Sequence, residues 1–350
     1  MLVPKGLCLL PLRFTEKSAL LYLYRPCDLE RDLQDRLATE ILQHAGYACT
    51  GSEQCLMQLI ERLRAYDEFP HEIGLIVLTY IPLIAVFGLS FFKWGGTGAP
   101  EWNGINNYIK LFTTDPYFKE SIKVTVYFSL LAVVGSMVYS LIVAMLLNRK
   151  IPARGFFRAV FYLPYVLPAA AVYIGWSWLY NTEWGLFNYI LSKLGIERLM
   201  FVSSSSQVVP SLALIAVWLS GNLIVIFLAG LQNVPRVYHE AAEIDGANAW
   251  QRFWHVTFPS MTPIIFYNML MSLITNMQVV TPALALTKGG PGKSSYFMSY
   301  MLYNYAFKQR GKIGLACAIA FVLFLLIGAF TLLLFATSKS WIFYEGGDDK

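Results

Sequence analysis

Gly292-Lys293-Ser294 matches the last three positions of the phosphate-binding pattern G-x-x-x-x-G-K-[ST], in which backbone N–H groups and a lysine cradle nucleotide phosphates. The pattern also needs a glycine five residues before Gly292, and that position is Thr287. It needs a preceding strand and a following helix, whereas this segment follows a long apolar run. Five cysteines (Cys8, Cys27, Cys49, Cys55 and Cys317) offer no C-x-x-C spacing and are odd in number. Reduced thiols facing the cytosol are expected, with no disulfide framework or zinc site. No Ser-His-Asp, Cys-His or paired-carboxylate arrangement is present, and Glu101, Asp115 and Glu120 read as solvated loop charges. The chain is therefore expected to be no enzyme, to bind no metal and to hold no cofactor of its own.

The segment Pro235-Arg236-Val237-Tyr238-His239-Glu240-Ala241-Ala242-Glu243-Ile244-Asp245-Gly246-Ala247-Asn248-Ala249-Trp250, continuing through Phe253 to Val256-Thr257-Phe258-Pro259, is built differently. Glu240 to Ile244 reads as a short helix whose alanine face permits close approach. Asp245-Gly246 is a turn signal, because glycine takes positive φ without steric cost. A second short helix is expected to run to Pro259, before the next apolar run begins.

The surrounding elements follow from composition. Of 350 residues, 56% are hydrophobic, 15% aromatic and 14% charged, against roughly 25% charged in a soluble domain. Six stretches are each long enough to cross a hydrocarbon core, which takes ~20 apolar residues. They run approximately over 73–92, 124–147, 159–180, 208–231, 261–286 and 313–337, and none contains Asp, Glu, Lys, Arg or His. Backbone groups in lipid must pair within the segment, so these stretches are expected to be helices. Pro164, Pro168 and Pro282 predict kinks or breaks. The aromatics sit in apolar runs rather than among clustered Lys and Arg, so the net charge of +5 does not point to nucleic acid.

Basic residues near span ends divide on orientation. Arg149, Lys150, Arg154 and Arg158, with Arg62 and Arg64, place both termini in the cytoplasm; Lys288, Lys293, Lys308, Arg310 and Lys312 oppose this. The first ~70 residues are more polar. Leu29, Leu33, Leu37 and Ile41 suggest one amphipathic helix, and Leu56, Leu59, Ile60 and Leu63 a second. The expected organisation is all-α: a cytoplasmic helical region over 1–72, a six-helix membrane domain over 73–337 with a connecting loop at 232–260, and a cytoplasmic tail over 338–350.

The 235–259 segment resembles the EAA motif of binding-protein-dependent ABC importer permeases. Glu240, Ala241, Ala242, Gly246, Val256, Phe258 and Pro259 fall at the family spacing, with Val256 and Phe258 in place of the commoner Ile and Leu. Thr287-Lys288-Gly289-Gly290-Pro291-Gly292 resembles the T-x-G-G-P loop of the maltose-type (MalF-like) sugar permeases. The 103–108 and 161–168 segments look like the same group, so the resemblance covers roughly 73–337. It implies the type I importer permease fold in a bacterial cytoplasmic (inner) membrane, with both termini cytoplasmic. It also implies that Glu240, Ala241, Ala242, Asp245, Gly246, Ala247, Phe253 and Pro259 dock an ATPase. The implied partners are a second, paralogous permease in a heterodimer, two ATP-binding subunits carrying the ATP and Mg, and an extracytoplasmic solute-binding protein.

Ion- and proton-coupled carriers place ionisable groups inside the membrane, so six uncharged spans fit a neutral polar solute such as a sugar or oligosaccharide. Candidate contacts near the midplane are Trp218, Ser220 and Asn222 on the fourth stretch, and Ser272, Asn276 and Gln278 on the fifth. Each could equally serve helix–helix packing. Glycerol phosphate or a charged oligosaccharide remains an alternative cargo on the same architecture, and an ATP-independent secondary carrier is the reading from another class.

Overall fold

A computed structural model describes residues 74–149, 151–309 and 312–343. The expectations for residues 1–72, four of the five cysteines and the last residues of the tail lie outside them. The chain divides into two units between Leu83 and Ile84.

After an apolar helix, α1 (Ile76–Leu89), a short antiparallel pair forms from β1 (Phe92–Lys93) and β2 (Glu101–Trp102). The helices that follow are α2 (Asn106–Ile109), α3 (Phe118–Asn148), α4 (Arg154–Val166), α5 (Ala169–Leu179) and α6 (Leu186–Lys193). Then come α7 (Val208–Trp218), α8 (Gly221–Asn233), α9 (Arg236–Ile244), α10 (Ala249–Arg252) and α11 (Phe258–Met277). Two more, α12 (Met298–Tyr303) and α13 (Ile313–Ser338), complete the described residues.

The 31-residue α3 is about 46 Å long at 1.5 Å per residue and forms the axis. Its buried face carries Ser121, Thr125, Ser129, Ala132, Ser136, Ser140 and Ala144, small residues that let neighbouring helices approach closely. One core cluster surrounds its start, with Leu111, Phe118, Phe128, Tyr180 and Phe297. Another surrounds its end, with Leu147, Ile224, Phe227, Val234 and Met261. The unit from Ile84 onward therefore has two poles, one at each end of α3.

By length and composition, α3 and α13 could each cross a membrane, and the bent pairs α4–α5 and α7–α8 could each do so together. The breaks expected near Pro168 and Pro282 are both present and have clear causes. The 159–180 stretch breaks at Pro168, where α4 and α5 meet at 99°. Pro168 has no N–H to continue the ladder and drives Leu167 to an extended φ −69°, ψ 145°. The 261–286 stretch ends as a helix at Met277, and the chain restarts in a π turn, Ala283–Thr287, after Pro282.

The α7–α8 bend of 50° at Leu219-Ser220 sits where Gly221 meets α4 backbone. A Cβ there would fall 2.7 Å from the Phe161 carbonyl oxygen. The Ser220 hydroxyl closes the bend, donating to the Val217 carbonyl at 2.6 Å and lying 2.9 Å from Ser140 Oγ.

Candidate functional site

The loop between α8 and α11 lies at the pole formed by the end of α3. None of its residues from Pro235 to Pro259 is buried. Arg236–Ile244 is helical, a turn longer than the five residues expected. It ends on a doubly hydrogen-bonded turn: the Gly246 N–H donates to the Glu243 carbonyl at 3.0 Å and the Ala247 N–H to the Ala242 carbonyl at 2.9 Å. This is the Schellman arrangement, which requires a left-handed residue just past the helix. Gly246 supplies it at φ +80°.

Asn248 then starts α10 with a capping box. Its Oδ1 accepts from the Gln251 N–H at 2.9 Å, and Gln251 Oε1 accepts from the Asn248 N–H at 2.8 Å. The Arg252 guanidinium pairs with the Glu243 carboxylate, tying α10 back to α9. The second short helix expected to run to Pro259 continues through a π turn, Phe253–Thr257, straight into α11. Phe258 N–H closes that turn on the Phe253 carbonyl, and Pro259, which has no N–H to satisfy, follows at the point where the ladder changes register.

The helical backbone is thus continuous from Ala249 to Met277. The loop is rigid by its own local bonds yet shows large apolar side chains, Ile244 at 87% exposure and Trp250 at 69%. Trp250, Phe253, Trp254 and Phe258 form a contiguous ridge of edge-to-face and tilted rings with centroids 5.1–6.2 Å apart. Of the eight residues expected to dock a partner, Glu240, Ala241, Asp245 and Gly246 are exposed, and Ala242, Ala247, Phe253 and Pro259 are half-buried supports. Sequence reasoning passed over Asn248 and Gln251, although their N-x-x-Q spacing is a capping signal. It also passed over the Glu243–Arg252 pair, whose nine-residue separation matches no helical or strand repeat.

The expected cargo residues fall into two groups along the middle of α3. Leu273 and Met277 of α11 pack on Val133, while Ser220 reaches Ser140, seven residues or about 10 Å further along. Asn276 is half-buried and spends its Nδ2 inside its own helix, donating to the Ser272 carbonyl at 2.8 Å and Oγ at 3.2 Å. Its Oδ1 remains for other use. Gln278 is exposed at the C-cap of α11. Trp218 packs edge-on to Trp176 at 5.5 Å, Asn222 is half-buried, and Ser220 is 6% exposed and engaged at the bend. Among the described residues no hydrogen bond joins the α7–α8 group to the α11 group.

At the opposite pole, Thr287–Gly292 is a compact turn. Lys288, Gly289, Gly292 and Lys293 have positive φ, and the Gly290–Pro291 peptide is cis. The fully buried Ser295 donates to the Gly290 carbonyl at 2.6 Å and lies 2.7 Å from Thr287 Oγ1. Lys293 lies 4.3 Å from the Tyr296 ring centroid, so it stacks on an aromatic face instead of pointing into an anion cradle. Asp115 is a correction: it is not simply a solvated charge. Its Oδ1 accepts from the Tyr117 and Phe118 N–H groups at the start of α3, and its Oδ2 accepts from the Tyr305 hydroxyl. Glu101 and Glu120 do pair only with exposed lysines. Among the described residues no cluster of His, Cys, Asp and Glu could hold a metal.

Long apolar helices and two broken ones define a polytopic membrane protein, in which an exposed helical loop leads into a span-length helix. Residues 136–339 match the family described as binding-protein-dependent transport system inner membrane component, and the chain belongs to that family. It is 36% identical over 284 residues, 80% of this chain and 91% of the relative, to the probable ABC transporter permease protein YesP of Bacillus subtilis (strain 168). It is 36% identical over 268 residues, 76% of this chain and 91% of the relative, to the multiple sugar-binding transport system permease protein MsmF of Streptococcus mutans serotype c. Its fold matches a chain of a bacterial alginate ABC transporter crystallised with an alginate pentasaccharide-bound periplasmic protein, with TM-score 0.68 at 20% identity over 81% of this chain and 97% of that one. Residues 1–93 match a second family, described only as a protein of unknown function (DUF3793).

Proposed function

We propose that this chain is one of two pore-forming permease subunits of an ATP-driven importer, moving a sugar or oligosaccharide by alternating access. The observation that carries this reading is the exposed, locally braced α9–α10 loop, which runs without a break into α11. An ATP-binding subunit would grip Glu240, Ala241, Asp245 and Gly246, with the Ile244 and Trp250 side chains entering its surface. ATP and Mg would reside in that partner, and its closure would swing α11 through the π turn. Coupling of this kind requires the loop contact to differ in free energy between the inward- and outward-facing states.

In this reading α1, α3, α4–α5, α7–α8, α11 and α13 are the six crossings. The α9–α10 pole faces the cytoplasm with both termini. The cargo passes the middle of α3, where Asn276 Oδ1 and Ser272 offer acceptors and Trp218 an aromatic face. MsmF is named for sugar transport, which supports a carbohydrate cargo delivered by an extracytoplasmic solute-binding protein, with a different sister permease completing the pore. The alginate transporter, which shares the fold, keeps an acidic oligosaccharide as the second reading, because basic residues can come from the sister chain or the outer loops.

The test is transport and ATP hydrolysis in the assembled complex reconstituted in vesicles. Gly246→Pro, which cannot take positive φ and loses the N–H given to Glu243, is expected to leave hydrolysis detached from transport. Glu240→Lys is expected to weaken retention of the ATP-binding subunit. Normal transport by both variants would contradict the assignment.

A further inference from the structure

The segment Tyr180–Met200, between α5 and α7, is separate from the docking loop, and through Trp176 its Phe187 reaches the neighbourhood of Trp218. It joins the pole at the start of α3, since Tyr180 belongs to the core cluster there and donates to the Ser211 carbonyl at 3.0 Å. Its inner side is tightly held. Asn188, 2% exposed, donates to the Thr182 and Leu199 carbonyls and accepts from the Leu199 N–H at 2.9 Å. Phe187 packs on Trp176 and Tyr180, each at 5.6 Å.

The outer side of α6 is apolar and open. Leu186, Tyr189, Ile190 and Leu194 recur at helical spacing along one face, and all are exposed, Leu194 by 68%. Ile196 and Met200 continue the surface beyond the helix. Such a stripe in water forgoes about 25 cal/mol for every Å² left uncovered, and the braced inner face prevents it from turning inward.

We propose that this face lies on lipid, making α6 an interfacial helix that seats the broken α4–α5 segment in the bilayer. Three observations favour lipid over a protein partner. The apolar surface is continuous with α5, where Ile174 and Trp178 are exposed and Trp178 meets Trp184 edge-on at 6.0 Å. Trp178, Trp184 and Tyr189 have the amphipathic rings that settle at the boundary between hydrocarbon and water. Lys193 holds its ammonium over the Tyr189 ring, 5.5 Å from the centroid, and a lysine beside an apolar face can lay its stem on it while its charge reaches water. Glu183, Ser192 and Arg198 line a cleft with Trp184, Leu186 and Tyr189, so charge borders the aromatic side of the stripe while Ile190 and Leu194 lie outside that cleft. The inference depends only on the chain being a membrane component, not on its cargo or on which pole is cytoplasmic.

The experiment is nitroxide labelling at Ile190→Cys and Leu194→Cys in the full chain with its native cysteines replaced by alanine. The protein is reconstituted in phosphatidylethanolamine–phosphatidylglycerol vesicles, and Glu197→Cys and Ile174→Cys serve as references. Collision rates with molecular oxygen and with a water-soluble nickel chelate are compared. The oxygen-to-nickel ratio at 190 and 194 is expected to exceed that at 197 and to approach that at 174. A ratio no higher than at 197 would place the face in water. Low accessibility to both reagents would mean that a protein surface covers it. Either result would overturn the proposal.

Discussion

Two glycine turns at opposite ends of α3 are built on opposite logic. At Gly246 a Cβ would meet nothing within 4 Å, and every bond that shapes the turn comes from residues within a few positions of it. At Gly289, with φ +83°, a Cβ would fall 2.7 Å from Tyr296 and 3.0 Å from Tyr300. That pole is closed by contacts from far along the chain, such as Tyr305 on Asp115 and the Met298 N–H on Thr125 Oγ1 at 2.9 Å. A loop that is rigid without leaning on the rest of the fold can be displayed whole to another protein. A loop fastened by distant residues completes its own domain. The contrast explains why only one of the two turns is a candidate docking element.

The contrast can be broken by substitution. Gly289→Ala should be the most damaging to folding, by about 2–5 kcal/mol, of which about 1–2 comes from the left-handed backbone and about 1–3 from overpacking against the two tyrosines. Thermal unfolding of the purified protein in detergent would reveal it. Tyr305→Phe should cost about 1–3 kcal/mol by leaving Asp115 Oδ2 without its donor. Burial first, then Asp115, raises the Tyr305 pKa above the ordinary 10.0. The unfolded state therefore ionises first as pH rises, and this stabilisation should be intact at neutral pH and decline only above about pH 10. The same denaturation assay run across pH would expose a loss at lower pH if the hydrogen bond were wrongly identified.

Gly246→Ala should cost only about 1–2 kcal/mol, from φ alone, while impairing coupling out of proportion to that loss. Asn248→Ala should be mildest, about 1 kcal/mol, and should leave the Tyr305 pole untouched. Equal damage from Gly246→Ala and Gly289→Ala would erase the distinction between the two turns.

How far the sequence foretold this depends on the range of the interactions. The apolar runs, the Asp245-Gly246 turn and the breaks near Pro168 and Pro282 are written in neighbouring residues, and each is where it was expected. The 99° angle at Pro168 is not local information, because it depends on what α4 packs against, including the Gly221 approach. Asp115 looked solvated because its partner is 190 residues away. Ser220 reads as a polar residue in a span until Ser140 is found opposite it; its hydroxyl then has a structural use at the bend.

The central claim is that the α9–α10 loop receives an ATP-binding subunit, and a photo-cross-linking residue at Ile244 tests it most directly. Irradiation of cells producing the chain with its natural partners should yield one dominant adduct. Mass spectrometry should identify its second component as a protein carrying a nucleotide-binding loop. An adduct to lipid alone, or to a protein without such a site, would contradict the account.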